Sequence, residues 1–376
     1  MDQCEQNLTE DERSLMISAQ HLILDKDDLS AAVETDDEEK EESNCDEKYA
    51  TISGCIKIIM KRLDIQIVIA TMTVAARYMS SFKDTIKYCI VDEAGYVVQI
   101  KLASLVAYLH ELKGLACFGD TCQNDGFDLS LPQWLKPYGY NSALKVVKQG
   151  GGKGLFTGSL TKTYRFGKPM LDLIAQCCYK GRNLNAQNQE STHPLKPIFG
   201  IETPNDFVFV DCPGTERACY PKGKRNERQA IEAVIIAQKL KETYPAYSLV
   251  IASPYSKQID YIRAYLKTNG INGIETSSAD KLQGNEKDFV VLNLVVSSNL
   301  TKMNKFINDK GRYTSAVTRA CLGCVIIGDL ALMKKHPSWQ KIIQMLVETK
   351  SIKPKPSSSL ATLPPLRNVS STKSVL

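Results

Sequence analysis

Lys87-Tyr-Cys-Ile-Val-Asp-Glu-Ala-Gly95 is an apolar run, Cys89 to Val91, closing on two adjacent carboxylates and then two small residues. Such a stretch reads as a buried strand that ends in an acidic loop. Nucleoside triphosphate hydrolysis uses a carboxylate pair so placed: one, here Asp92, holds Mg²⁺, often through water, and the next, Glu93, orients or deprotonates the attacking water. An Asp-Glu pair after a strand also serves as a helix N-cap followed by a first-turn acid. The rest of the chain has to decide between these uses.

Outward from this stretch the pattern repeats. Ile65 to Ala70 is a β-branched run ending at Thr71-Met-Thr73, and Leu115 to Phe118 ends at Gly119-Asp120. Segments of helix length separate the runs, which is the signature of strand-helix alternation and a parallel sheet. In such sheets functional loops gather at the carboxyl ends of the strands. A second block of the same kind begins near Phe207: strand-like runs at Phe207–Val210, Ser248–Ala252, Asp288–Val296 and Cys324–Ile327, with an apolar helix over Gln229–Leu240. The fold expected is α/β with two parallel-sheet domains. Residues 49–165 would form a partial first domain and residues 166–350 the second.

Composition is that of a globular chain, with 376 residues, 43% hydrophobic and 7% aromatic. The net charge of +5 hides a division. Residues 1–48 hold 17 acidic and 4 basic side chains, a balance of −13, which leaves +18 on the remainder. The acidic segment is expected to be largely disordered, with a short helix over 11–24, and the Ser- and Pro-rich residues 351–376 to be a disordered tail. The basic body suits a polyanion, because neutralised phosphates release counterions. A solvated lysine-rich surface has the same composition.

Twelve scattered cysteines form no disulfide framework. Cys321-Leu-Gly-Cys324 is the only Cys-x-x-Cys, and His21, His110, His193 and His336 supply no zinc spacing, so two core thiols are expected. Without a signal peptide or an apolar run near ~18 residues, the expectation is an intracellular chain, cytoplasmic or nuclear, with no membrane contact. Gly150-Gly-Gly-Lys-Gly154 does not fit a phosphate loop, since Gly154 follows the lysine, and it reads as a plain loop.

Six motifs in order, over roughly residues 65–335, resemble superfamily-1 helicases of the nonsense-mediated-decay and senataxin type. Val91-Asp-Glu-Ala-Gly95 resembles the Walker B motif, and Phe118-Gly-Asp-Thr-Cys-Gln123 the motif whose glutamine, here Gln123, senses the γ-phosphate. Thr163-Tyr-Arg165 resembles the motif in which a tyrosine, Tyr164, stacks on the nucleotide base and an arginine, Arg165, reaches the γ-phosphate. Ser253-Pro-Tyr255 with Gln258 resembles a nucleic-acid-contacting motif.

Ser278 to Asp288 is similar to the motif whose glycine, Gly284, allows close backbone approach and whose glutamate, Glu286, lies near the ribose. Arg312 to Arg319 resembles the last motif, with Arg319 as a second phosphate contact. The resemblance implies two RecA-like domains, ATP and Mg²⁺ (at Asp92) as cofactors, and single-stranded RNA or DNA as partner. Thr71, Thr73, Pro254 and Tyr255 become candidate strand contacts, and protein partners are compatible with the same reading.

The chain departs from the family in three places. No Gly-x-x-x-x-Gly-Lys-Ser/Thr stands upstream of Asp92, Cys321 occupies a position that is usually basic, and Thr314 one that is commonly asparagine. A phosphate loop is the main ground-state hold on the β- and γ-phosphates. The expectation is therefore either part of a longer helicase or a degenerate one that binds nucleic acid or a protein without turnover.

Overall fold

The computed structural model describes residues 9–24, 38–123, 134, 138–150, 155–187, 193–201, 203–220, 223–282, 284–297, 307 and 309–353. Two compact units divide the chain: Met1–Gly119 with Gly126–Gly151, and Asp120–Asp125 with Gly152–Leu376.

The first unit opens on two helices, α1 (Glu10–Leu24) and α2 (Glu38–Arg62). They are joined by an Arg62–Glu12 ion pair at 2.6 Å and by the Cys55 thiol on the Leu15 carbonyl at 3.3 Å. The acid-rich start of α2 is helical where composition led us to expect disorder; acidic residues are favoured near a helix N-terminus. Next come α3 (Met72–Tyr78), β1 (Tyr88–Val91), α4 (Gln99–Tyr108), β2 (Gly114–Cys117) and α5 (Ala143–Gly150). β1 and β2 pair in parallel, Val91 opposite Cys117. Val91, Ala94, Val97, Leu102 and Ala143 pack as one small core, and Met79, Phe82, Leu105 and Leu109 as another.

The expected strand at Ile65–Ala70 is not one. The segment pairs with no described strand, and Ile69 is 93% exposed. An apolar run becomes a strand only when a neighbour takes up its backbone groups.

The second unit contains β3 (Lys162–Thr163), α6 (Lys168–Cys178), β4 (Asn185–Ala186), α7 (Lys196–Phe199), β5 (Phe207–Asp211), β6 (Glu216–Ala218), β7 (Lys224–Asn226) and α8 (Glu227–Thr243). It continues with β8 (Leu249–Ser253), α9 (Ser256–Thr268), β9 (Glu275–Ser278), β10 (Lys287–Asn293), α10 (Lys310–Val317), β11 (Ala320–Gly328), α11 (Leu330–Lys335), α12 (Pro337–Glu348) and β12 (Ile352–Lys353). Six strands form one all-parallel sheet in the order β12-β5-β11-β10-β8-β9.

Its strands read as continuous apolar runs because both faces are covered. Phe207, Val250, Val290 and Cys324 point into a core built with α6, α10 and α12; Val208, Ile251, Val291 and Val325 point into the opposite one, built with α8 and α9. The expected α/β parallel-sheet class is thus what the chain adopts.

Trp339 is fully buried against Tyr313, ring centroids 5.1 Å apart, and its indole N–H donates to the Ile307 carbonyl at 3.2 Å. Trp134, in the first unit, is 67% exposed. The tail expected to be disordered from 351 begins with β12, and its residues 354–376 lie outside the described set, as does most of the Gly150–Gly154 loop.

Candidate functional site

Four residues far apart in sequence meet within the second unit. Gln123 follows a turn in which Asp120 Oδ1 accepts the Cys122 N–H at 2.9 Å. Asp120 is in turn held by the Tyr179 hydroxyl and by Arg182, whose guanidinium lies 3.3 Å from Asp120 Oδ1 and donates to the Thr121 hydroxyl at 2.7 Å. Tyr179 and Arg182 carried no motif signal; they lie at the end of α6, and only the fold brings them under the turn.

Gln123 Oε1 accepts from Arg319 at 2.6 Å, and Arg319 Nε donates to the Ser315 carbonyl at 3.1 Å. Arg319 is 2% exposed. It stands just before β11, at the end of the turn closing α10, where the helix delivers it inward.

Arg165 follows β3. Its backbone N–H donates to the Thr163 hydroxyl at 3.2 Å, and its guanidinium donates to the Thr318 carbonyl at 3.0 Å and to Glu286 Oε1 at 2.6 Å. Its Nε is buried with no hydrogen-bond partner among the described residues. Glu286 is held below the usual carboxylate range, first by the Arg165 hydrogen bond and then, against the opposing effect of burial, by the Arg165 charge. The Cys321 thiol lies 3.8 Å from Glu286 Oε2, and burial, with the Glu286 charge, pushes it up to about 11. Cys324 is the buried core thiol expected, whereas Cys321 is half-buried at the site.

An open cleft of about 490 Å³ is lined by Gln123, Leu160, Lys162, Thr163, Tyr164, Arg165 and Glu286. Tyr164 is exposed, with the Lys162 ammonium 5.2 Å from its ring centroid. Gly284 has φ +81°, so the loop entering β10 uses a left-handed position there. Gln283 lies outside the described residues.

The remaining candidates do not join this cluster within the second unit. Asp92 and Glu93 stand at the end of β1 in the first unit. Asp92 is exposed and its Oδ1 accepts the Glu93 N–H at 2.9 Å, while Glu93 sits at φ +50°. Thr71 caps α3 by accepting the Val74 N–H at 3.3 Å, and Thr73 is exposed on that helix.

Pro254 is half-buried at the end of β8. Tyr255 corrects the sequence reading. Its ring is 5% exposed and packs in the core with Phe209 and Leu292, so it cannot offer a face to a strand. An aromatic directly after a buried strand is pulled into the same core.

Residues 146–331 match the protein family described as an AAA domain, a range that takes in Arg165, Glu286 and Arg319. The ATP-dependent helicase upf1 of Schizosaccharomyces pombe is 31% identical over 125 residues, 32% of this chain and 13% of that protein. Regulator of nonsense transcripts 1 of Caenorhabditis elegans is 22% identical over 264 residues, 68% of this chain and 24% of its own. Over these stretches the chain is similar to helicases of the nonsense-mediated-decay kind.

The chain spans less than a quarter of the length of either relative. A crystal structure of Arterivirus nonstructural protein 10 (helicase) aligns over 65% of this chain and 40% of its own, at 18% identity and a TM-score of 0.33.

The donor set suits a nucleoside triphosphate in part. The Arg165 guanidinium, on the cleft wall with an unpartnered buried Nε, suits phosphate oxygens, and the exposed Tyr164 ring suits a base; Arg319 is buried and engaged by Gln123 and Ser315. Among the described residues no group of three His, Cys, Asp or Glu side chains could hold a metal ion. Mg²⁺ needs less than that, since one carboxylate such as Asp92 with phosphate oxygens and water is a common arrangement. Nor does any helix among the described residues have the length and apolarity to cross a membrane.

Proposed function

We propose that this chain carries the phosphate-sensing and strand-binding part of an ATP-dependent helicase acting on single-stranded nucleic acid. The observation that carries the reading is the convergence of Gln123, Arg165, Glu286 and Arg319 through side-chain contacts of 2.6 Å, Arg165 to Glu286 and Arg319 to Gln123. Four surface residues would have no reason to be fixed this way from four separate segments.

In this reading Arg165 and Arg319 hold the γ-phosphate, where a positioned guanidinium stabilises charge developing on the transferred phosphoryl. Gln123, bonded to Arg319, senses the γ-phosphate and relays it to the nucleic acid, Tyr164 stacks on the base, and Glu286 turns to the ribose once the phosphate takes Arg165. Gly284 leaves room for the backbone to approach. Asp92 is the Mg²⁺ ligand of this reading and Glu93 the residue that orients water. Thr71, Thr73 and Pro254 remain strand contacts, and a protein partner is compatible with the same surface.

A second reading has its own support: no phosphate-loop sequence stands in the 376 residues, so this chain by itself binds nucleic acid with little or no turnover.

Nucleic-acid-stimulated ATP hydrolysis by the 376-residue chain, with Glu93→Gln as control, separates the two. Turnover that Glu93→Gln abolishes supports a self-sufficient ATPase. Single-strand binding that weakens with salt, without turnover, supports the second reading. No single-strand binding at low salt defeats both.

A further inference from the structure

The segment after β10 is tied to β6, to the end of β7 and to the first turns of α8 and α9 by a buried polar network. The Asn226 N–H donates to Gln258 Oε1 at 2.7 Å, and Gln258 Nε2 donates back to the Asn226 carbonyl at 3.0 Å. Asn226 Nδ2 donates to the Val295 carbonyl at 3.1 Å and to the Ser297 hydroxyl at 3.0 Å. Ser297 N–H reaches Glu216 Oε2 at 3.1 Å, and Gln229 Oε1 accepts the Val295 N–H at 2.7 Å. Asn226, Gln229 and Gln258 are fully buried. Buried amides paired on both ends fix the backbone around them.

Out of this fixed edge stands the β6–β7 hairpin, with Glu216 opposite Asn226 and Ala218 opposite Lys224. A half-buried Lys224–Glu216 pair at 3.0 Å and a Cys219 N–H to Gly223 carbonyl bond at 3.0 Å close it. Its base lies on the first turns of α9, with the Arg225 guanidinium 5.3 Å from the Tyr261 ring centroid. Gly223 has φ +152°, and a Cβ there would sit 2.6 Å from Lys257 Cγ, so glycine is what permits the approach.

At the tip Tyr220 is 92% exposed. Around it stand four cations, Arg217, Lys224, Arg225 and Arg228, and two carboxylates, Glu216, paired with Lys224 at 3.0 Å, and Glu227, paired with Arg225 at 3.2 Å and Arg217 at 3.5 Å, which leaves an excess of positive charge. A tyrosine ring raised into solvent on a braced, cationic hairpin has the chemistry of a base platform. Stacking accepts any base because every base has a π-face, and a rigid support limits the ordering cost of binding.

We infer that the β6–β7 hairpin binds single-stranded nucleic acid, with the Tyr220 ring stacking on a base and the surrounding positive charge drawing in the backbone. The inference rests on the nucleic-acid reading above. A duplex offers no free base face and would not use the ring.

The test is fluorescence anisotropy of the full chain with labelled oligouridine and with its abasic counterpart at low salt. Tyr220→Ala weakens oligouridine binding about five-fold or more, the lower end of the effect of deleting a stacked aromatic. Tyr220→Phe keeps the affinity, and neither substitution changes binding to the abasic strand. Equal oligouridine affinity of wild type and Tyr220→Ala overturns the stacking role while nucleic-acid binding stands, as does an equal loss on the abasic strand. A wild-type chain that binds no single strand overturns the inference and the reading beneath it together.

Discussion

Arg165 and Glu286, 121 positions apart in sequence, form an ion pair at 2.6 Å in which the guanidinium also donates to the Thr318 carbonyl. The carboxylate thus stands where an anionic ligand of Arg165 would stand. Any phosphate that takes the guanidinium has to displace it.

Glu286→Gln removes the competing charge and leaves the shape. Binding of inorganic tripolyphosphate to the full chain should tighten roughly two- to five-fold at low salt, the scale of a partly exposed ion pair. Titration calorimetry reads it, and unchanged or weaker binding would show that Glu286 does not compete. The pair's own contribution to stability has a defined pH sense. Because the folded carboxyl titrates below its ordinary value of 4.5, the contribution is present above that value and disappears as pH falls through the lower folded one.

Arg319 is a buried donor to Gln123 and Ser315, so its loss leaves acceptors unpaired. Arg319→Ala should cost about 1–3 kcal/mol in urea unfolding. Arg319→Lys should recover little of this, because a single ammonium cannot reproduce the planar fork. Full recovery by lysine would mean that charge alone matters at this position.

His336 caps α12 by accepting the Ser338 N–H on Nδ1 at 3.2 Å, and burial lowers its proton affinity from the ordinary 6.5. Only the neutral ring can accept that bond. The unfolded chain therefore binds the proton first: the stabilisation is full above about pH 6.5 and declines as pH falls toward the lower folded value. Thermal unfolding between pH 7.5 and 5.5 should show this slope, and His336→Asn, which retains a capping side chain, should flatten it. A slope identical in the variant would assign it to other groups.

Two glycines should fail for different reasons. Gly284→Ala meets nothing within 4 Å but keeps φ +81°, a cost of about 1–2 kcal/mol from backbone alone. At Gly323 an added Cβ would lie 3.0 Å from Leu195 and 3.2 Å from Phe289, a crowding cost of about 1–3 kcal/mol. A double-mutant cycle with Leu195→Val should give coupling at 323 and none at 284. Coupling of equal size at both positions would refute the distinction.

The second unit was legible because its strands are buried on both faces and so appear as unbroken apolar runs such as Phe207–Val210 and Asp288–Val296. The motif residues Gln123, Arg165, Glu286 and Arg319 were legible one by one; that they touch is a product of the fold. Ile65–Ala70 misled because apolarity predicts a strand only where a neighbour exists. Tyr255 misled because a loop position next to a strand end can still face the core. The β6–β7 hairpin left no trace, since Glu216–Ala218 and Lys224–Asn226 carry no alternation, and the Asn226 network spans some seventy residues to Ser297.

The placement of the two tryptophans makes the chain its own optical probe. Trp339, sealed beside Tyr313 in the second unit, will emit toward the blue until that core opens, whereas Trp134 in the first unit already emits from water. A Trp134→Phe chain leaves a single tryptophan, whose red shift on heating or in denaturant, excited beyond the tyrosine band, marks the melting of the second unit without interference from the first.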